Sequence, residues 1–269
     1  MAAPTYKARG IVLRKTRLSE SDLIVELIDD EGKKLKLVAK GARKPASRLS
    51  AHLELFNTCE VLCVKGKNLD IVKESRLVSS RSQLMSDPVK NAAACSVVEL
   101  ISAIIQTSLK QPRLFEMTDA ALDAIDTKDV SAIDVLLAAD IIKTVSLTGL
   151  RPMLLSCAIC GAPEIEKDEL ALSVSLLAAK DRDIRISHIE GGIICSDCAK
   201  LVESAWVPRS SIILAQHLLM SRFSDIASFK VEDATVFELL QILHLWVGVH
   251  IGTKLKSLGL FFDLRYIRT

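Results

Sequence analysis

The chain has 269 residues, of which 49% are hydrophobic and 25% charged, and its formal net charge is +2. This is enough apolar material for a sizeable core and for two domains. The charge is unevenly spread, because residues 1–80 hold 16 basic against 10 acidic side chains and the remainder holds 19 against 23. A basic first third predicts an N-terminal domain that meets a polyanion, although a solvated lysine-rich surface is equally compatible.

Neither export nor membrane insertion is expected. The first 15 residues carry charges where a signal peptide would be apolar. The most apolar long stretch, residues 92–109, contains Glu99 and is slightly short for a bilayer span. Seven cysteines, an odd number without an export signal, favour a reducing compartment over a disulfide framework, so we expect a cytoplasmic protein.

Residues 7–78 read as five short strands separated by turn signals. In "KLKLVAK", Leu35, Leu37 and Ala39 alternate with lysines, which places the apolar side chains on one face and the lysines on the other. The segment "DDEG" at 29–32 is typical of a hairpin turn, with Gly32 supplying positive φ. Five strands in this length predict a small closed barrel, either of the OB type or SH3-like.

The loop "AKGARKPASR" at 39–48 contains four basic residues and no acid. It lacks the spacing of a phosphate-binding P-loop. A basic address signal and a clamp for a nucleic-acid backbone remain, and its position between two strands of a lysine-faced barrel favours the clamp. Residues 1–80 contain only Tyr6 and Phe56 as aromatics, so we expect salt-dependent backbone binding with little base stacking.

From about residue 80 the pattern becomes helical, which predicts a mixed α+β chain with a barrel at 1–80 and a helical domain at 81–269. Asp87 and Pro88 are a typical helix start. Further helices are expected at 112–125, 131–147, 210–223 and 233–258, with a stop at Gly149. Trp206 and Trp246 are expected to be core or helix-packing residues.

Two C-x-x-C pairs interrupt the helices and predict a four-cysteine zinc finger inserted at about 155–200. The ligands would be Cys157, Cys160, Cys195 and Cys198, and strands at 170–177 and 183–195 would bring the pairs together. Four thiolates leave no open position, so the Zn²⁺ would be structural. Four buried thiols or two redox dithiols are the alternatives, and His188 is a weaker candidate ligand. Cys59 and Cys63 are expected in the barrel core. We find no catalytic motif and expect no enzymatic activity.

The order of these parts resembles the bacterial recombination mediator RecO family over nearly the whole chain. The similar stretches are "GIVL", "SESD", "KGARKPASR", "TGLRPMLLSCAICG", "GGIICSDC" and "HIGTKLKSLGLF". The resemblance implies an OB domain followed by a helical domain with a zinc finger. It also implies binding of single- and double-stranded DNA, annealing, and partnership with RecR, RecF and the tail of single-stranded DNA-binding protein, so that RecA is loaded.

The resemblance also assigns residues. Phosphate contacts fall on the basic side chains of the matched segment: Arg14, Lys15, Arg17, Lys34, Lys36, Lys40, Arg43, Lys44 and Arg48. Nothing in the resemblance places the partner pocket, and the end of helix 233–258, with Lys254 and Lys256, is our candidate for an acidic peptide tail. The alternative function is a zinc-ribbon transcription or RNA-binding factor.

Overall fold

A computed structural model describes residues 4–45, 47–166 and 183–265 and confirms the mixed α+β class. The chain divides into two compact units, Met1–Thr127 and Lys128–Thr269. The first unit therefore extends past the barrel and includes the helices that directly follow it. The sequence-based boundary near residue 80 marks the end of the strands.

The first unit is built on a closed five-stranded barrel with the strand order β1-β2-β3-β5-β4. Its elements are β1 (Thr5–Arg17), β2 (Leu23–Asp29), β3 (Lys34–Ala39), α1 (Arg48–His52), β4 (Thr58–Val64) and β5 (Asp70–Ser79). Neighbouring strands are antiparallel except β3 and β5, which are parallel. A closed barrel with its third and fourth strands joined through a helix is the OB arrangement, which is the one of the two barrel types that the family resemblance implied.

The barrel interior follows the alternation read from the sequence. Leu37 and Ala39 of β3 are buried, and Leu35 packs against the same core. The strands contribute mostly small and branched apolar side chains, and Cys59 and Cys63 lie among them as expected. Burial in this apolar interior raises the pKa of Cys59 to about 12 and that of Cys63 to about 11. Both thiols are therefore core groups.

The hairpin between β2 and β3 confirms the role of Gly32, whose φ is +78°. A side chain is excluded here for a second reason, because a Cβ at this position would lie 2.0 Å from the Gln111 carbonyl oxygen. The amide of Gln111 donates to the Glu31 carbonyl at 2.9 Å, so the hairpin is tied to the chain at the start of the helix that begins at Pro112.

The helices α2 (Gln83–Ser86), α3 (Pro88–Ile104) and α4 (Pro112–Thr127) complete the first unit. The Asp87 carboxylate accepts from the amides of Val89 and Lys90, which confirms the predicted helix start. Arg81 is buried and joins the barrel to α4: its guanidinium pairs with Asp119 at 2.6 Å and Asp123 at 2.7 Å. It also donates to the Phe56 carbonyl oxygen.

The second unit contains the helices α5 (Ile133–Leu147), α6 (Arg209–Met220), α7 (Phe223–Ile226), α8 (Asp233–His250) and α9 (Lys256–Arg265). A three-stranded antiparallel sheet of β6 (Asp183–Ser187), β7 (Gly192–Ile194) and β8 (Ala205–Pro208) has the order β7-β6-β8. The strand expected at 170–177 lies outside the described residues.

The predicted helix at 233–258 is wrong in its extent. It ends at His250, because Gly252 adopts a φ of +72°, and a new helix begins at Lys256. Apolar periodicity continues across this break, and therefore periodicity alone did not reveal it. The stop at Gly149 is confirmed by its φ of +83°. Within the described residues, the helices are too short or too polar to span a bilayer.

Candidate metal centre and nucleic-acid interface

The first cysteine pair lies on a tight turn that follows α5. The Gly161 amide donates to the Cys157 carbonyl at 2.9 Å, and the Cys157 amide donates to the Ala162 carbonyl at 2.8 Å. Gly161 has a φ of +75°, which a side chain would disfavour. This turn presents both sulfurs of the pair on one side.

The second pair follows β7 directly. The Cys198 amide donates to the Cys195 sulfur at 3.4 Å, and the Ala199 amide donates to the Cys195 carbonyl at 3.0 Å. The two turns are brought together by backbone pairing, since the Ala158 amide donates to the Ile193 carbonyl at 2.8 Å. Gly192 permits this approach, because a Cβ there would lie 2.3 Å from the Met153 carbonyl oxygen.

The four sulfurs of Cys157, Cys160, Cys195 and Cys198 all lie within 4.8 Å of one another. We call this group the four-cysteine cluster. The Cys160 and Cys195 sulfurs are 3.7 Å apart. Sulfurs placed about 2.3 Å from a tetrahedral ion are separated by about 3.8 Å, so the cluster has the size that such an ion requires. The donor set therefore fits a metal ion of the zinc type.

Without an ion, the thiols of the four-cysteine cluster differ in how readily they ionise. Burial opposes ionisation of Cys157, but backbone amides of Cys160, Cys195 and Ile159 donate to its sulfur and lower its pKa to about 6. Cys198 shares hydrogen bonds with the neighbouring sulfurs, first with Cys195, and its pKa is raised to about 12. One thiolate thus forms readily, whereas a full set of four requires a positive charge among them.

The histidine considered as a ligand is engaged elsewhere. The His188 ring nitrogen Nε2 lies 3.2 Å from the Ile242 carbonyl, and the His188 carbonyl lies 2.8 Å from the His250 ring. Burial lowers the His188 pKa, which keeps the ring neutral against α8. His188 is therefore a packing residue between the β6–β7 hairpin and α8.

The basic loop between β3 and α1 is anchored at its start by a residue that the sequence analysis did not single out. The Asp22 carboxylate accepts from the Gly41 amide at 2.8 Å and from the Ser21 hydroxyl at 2.8 Å. The Gly41 bond is the largest cause that holds the Asp22 pKa below its usual range. The segment "SESD" carried a signal for this anchor, since the side chain of an aspartate in a polar turn commonly accepts hydrogen bonds from nearby backbone amides.

Arg43 supplies the second anchor. Its guanidinium donates to the carbonyls of Ser19 at 3.0 Å and Glu20 at 2.8 Å, and its amide donates to the Ser21 carbonyl at 2.9 Å. The loop between β1 and β2 and the basic loop therefore form one connected surface. In OB folds, the first of these loops and the face of strands 2 and 3 are the usual oligonucleotide site.

The nine predicted phosphate ligands fall into two groups. Four are engaged within the protein. Lys15 pairs with Glu54 at 2.6 Å, Lys34 donates to the Ser102 carbonyl at 2.7 Å, Lys36 lies 3.4 Å from Glu26, and Arg43 holds the loop as described. The other five are exposed and have no ion pair among the described residues: Arg14, Arg17, Lys40, Lys44 and Arg48.

Cross-strand pairing places part of this charge on one outer face of the barrel. Arg14 lies opposite Glu26, and Glu26 lies opposite Lys36. Directly opposite side chains project from the same face, and Lys40 follows Lys36 at even spacing along the chain. Arg14, Lys36 and Lys40 thus line the face of the barrel that adjoins the basic loop.

The candidate partner residues Lys254 and Lys256 are both exposed, in the turn before α9 and at its first residue. Lys254 lies within the break that interrupts the predicted long helix, and Lys256 lies at its end. The interior position expected for Trp206 is wrong, because this indole is 60% exposed, whereas Trp246 is buried as expected.

Comparison with protein families gives two adjoining matches. Residues 1–81 match the model described as "Recombination protein O N terminal", and residues 85–259 match "Recombination protein O C terminal". The chain belongs to the RecO family. The junction of the two matches coincides with the end of the barrel strands, while the two compact units divide after Thr127.

RecO-family relatives with similar sequences come from several bacteria. The protein named "DNA repair protein RecO" of Roseiflexus sp. (strain RS-1) is 28% identical over 97% of this chain and 86% of its own length. The protein of the same name from Caldanaerobacter subterraneus is 27% identical over 93% and 95%. That of Symbiobacterium thermophilum is 30% identical over 74% of each chain. The similarity to these relatives thus extends across both compact units.

Proposed function

We propose that this RecO-family chain is a non-enzymatic DNA repair and recombination mediator that binds single- and double-stranded DNA and anneals complementary strands. The observation that carries the proposal is the exposed basic set beside the Asp22-anchored loop of an OB barrel. These side chains neutralise backbone phosphates and release counterions, which supplies affinity without sequence reading. Annealing then needs no covalent chemistry, because neutralised strands no longer repel each other.

The metal proposed for the four-cysteine cluster is Zn²⁺ with a structural role. Cys157, Cys160, Cys195 and Cys198 would hold it, and bound zinc supplies folding free energy when all four positions are protein thiolates. The fit of the sulfur separations supports this assignment. Elemental analysis should find one tightly held zinc per chain, whereas a metal-free chain with reversible disulfides would contradict it.

The proposed partners are those of the family resemblance: RecR, with RecF, and the tail of single-stranded DNA-binding protein, so that RecA is loaded on coated DNA. Lys254 and Lys256 are the proposed contacts for the acidic tail, supported by their exposure and by the exposed Leu260 one turn later. A labelled acidic tail peptide should lose affinity for Lys254→Ala/Lys256→Ala. Unchanged affinity would show that the tail peptide does not bind at Lys254 and Lys256, and it would leave the proposed DNA binding unaffected.

The decisive experiment compares two triple variants in an annealing assay with complementary labelled oligonucleotides. The test variant is Lys40→Ala/Lys44→Ala/Arg48→Ala, and the control Lys73→Ala/Arg76→Ala/Arg113→Ala removes the same charge from other exposed positions of the first unit. For single strands, we expect the test variant to lower the slope of log affinity against log salt by about 2, since each phosphate contact contributes about 0.7.

Equal losses of annealing in both variants would overturn the assignment of the basic loop to phosphate contacts. Preference for RNA or for one base sequence would instead support the transcription or RNA-binding alternative.

A further inference from the structure

An exposed tryptophan on the small β6–β8 sheet has a chemistry that the barrel lacks. Trp206 is 60% exposed, and the Arg185 guanidinium carbon lies 4.2 Å from the centre of its ring. We infer that this pair is a stacking site for an unpaired nucleobase of single-stranded nucleic acid. The inference rests on the proposed binding of single strands and adds a second contact to it.

The strand register explains why the ring points outward. Arg185 on β6 lies directly opposite Trp206 on β8, so both side chains project from the same face of the sheet. The alternate positions, Ile184 and Val207, are paired with each other and buried on the opposite face. The buried face of the sheet is therefore filled without the indole. Among the described residues, β8 is an edge strand of this sheet.

Arg185 lies over one face of the ring. One guanidinium nitrogen donates to the Ser204 hydroxyl at 3.2 Å, and the guanidinium carbon lies 4.2 Å from the ring centre. A ring with one face covered that still exposes 60% of the residue has its other face and its edges open to solvent. A flat aromatic ligand can stack on that open face without displacing the arginine.

The charge beside the ring favours a nucleic acid over an apolar peptide. Among the described residues, Arg185 has no carboxylate partner, and Asp183, two residues earlier on the same strand, makes no ion pair with it. A cation next to an open aromatic face matches a strand that offers bases and phosphates in alternation. An apolar peptide would gain nothing from the charge of the guanidinium.

The aromatic side chains of the barrel are not placed to stack on a base. Phe56 is fully buried, and Tyr6 is half-buried, with the Lys65 ammonium 4.5 Å above its ring and its hydroxyl held by Asp70 at 2.5 Å. These are the two aromatic side chains of residues 1–80. Base stacking, which single-strand binders commonly combine with phosphate contacts, is therefore available at Trp206 and not in the barrel.

Tryptophan fluorescence of the full chain tests the inference, because Trp246 is buried and serves as an internal reference. We expect a thymine oligonucleotide to quench the wild-type emission and to leave the emission of Trp206→Phe, which retains only Trp246, unchanged. Trp206→Ala should weaken binding by about 5- to 150-fold, the range of one base–aromatic stack. Arg185→Lys, which keeps the charge but not the planar stack, should give a smaller loss.

An abasic oligonucleotide of equal length is the matched probe, because it keeps the phosphates and removes the bases. It should bind the barrel, which anisotropy of its label measures, and leave Trp206 unquenched.

The stacking site is refuted, and the proposed function stands, if the thymine oligonucleotide binds without changing Trp206 emission and binds Trp206→Ala with the wild-type affinity. Equal quenching by the abasic strand, or displacement of the oligonucleotide from Trp206 by an apolar acidic peptide, would also overturn it. Absence of all oligonucleotide binding would refute the proposed function and the stacking site together.

Discussion

The OB barrel and the sheet beside the four-cysteine cluster are both small β structures, but different interactions hold them together. Among the described residues, twelve buried side chains fill the barrel. The described buried group at the four-cysteine cluster consists of three cysteines and Ile194. We therefore expect the barrel to be stabilised by its own core and the four-cysteine cluster to be stabilised by the proposed ion.

Removal of one thiol should produce the largest effect and should separate the two regions. Cys195→Ser is expected to lose the proposed Zn²⁺, and the apparent binding free energy of structural zinc in zinc-finger peptides is about 10 kcal/mol or more. Hydrogen exchange should then become fast in β6, β7 and β8 and stay slow in the barrel. The matched control is Cys63→Ser, which alters a thiol of the barrel core and should keep one metal per chain. Equal deprotection of the barrel in Cys195→Ser would contradict the contrast.

The titration of Asp140 tests the helical part that carries the four-cysteine cluster. Its carboxylate is fully buried without a hydrogen-bond partner among the described residues, and this burial raises its pKa to about 7. Because the folded pKa lies above the unfolded value, its contribution to stability is complete below about pH 4 and is lost as the pH rises to about 7. The free energy of unfolding should fall by up to about 4 kcal/mol over this window.

Asp140→Asn should remove this slope and stabilise the helical unit at neutral pH. Denaturant unfolding of the wild type and the variant at about pH 5 and about pH 8 measures the effect. The control Asp263→Asn changes an exposed carboxylate and should leave the pH dependence intact. A wild-type profile without the slope would show that Asp140 is solvated.

Arg81→Ala tests whether the barrel depends on more than its core. The substitution removes a side chain that is 2% exposed and leaves Asp119 and Asp123 without their shared cation, so we expect a loss of about 3 kcal/mol. Urea unfolding followed by a probe in the first unit measures it. Arg76→Ala, which breaks an exposed ion pair with Glu60, should have no measurable effect. Similar losses for both variants would argue against a special role for Arg81.

The smallest expected effect concerns the anchor of the basic loop. Since the pKa of Asp22 is held down in the folded chain, its anchoring contribution is present above about pH 4 and is lost as the pH falls through the lower folded value. Asp22→Asn should accelerate exchange of the Gly41 amide at neutral pH and remove its acid sensitivity. An unchanged Gly41 amide would show that the loop is held by Arg43 alone.

The sequence predicted the features that depend on local pattern. Period-2 alternation identified the barrel strands, and the spacing of the cysteines identified the four-cysteine cluster. Features that depend on tertiary contacts were missed. Lysine content alone could not show that Lys34 caps α3 and that Lys15 pairs with Glu54. Trp206 was misplaced because its exposure depends on the pairing of β6 with β8, which no local pattern encodes.

The anchored start of the basic loop has a consequence for how the chain would meet a strand. Flexible basic segments lose conformational entropy when they settle on phosphates. Here Asp22 and Arg43 already fix the backbone at Gly41 and Arg43. Little ordering cost then remains at the moment of contact, and release of a bound strand requires no unfolding of the loop. Rapid exchange between strands, which the proposed annealing requires, is thus favoured by a loop whose start is already fixed.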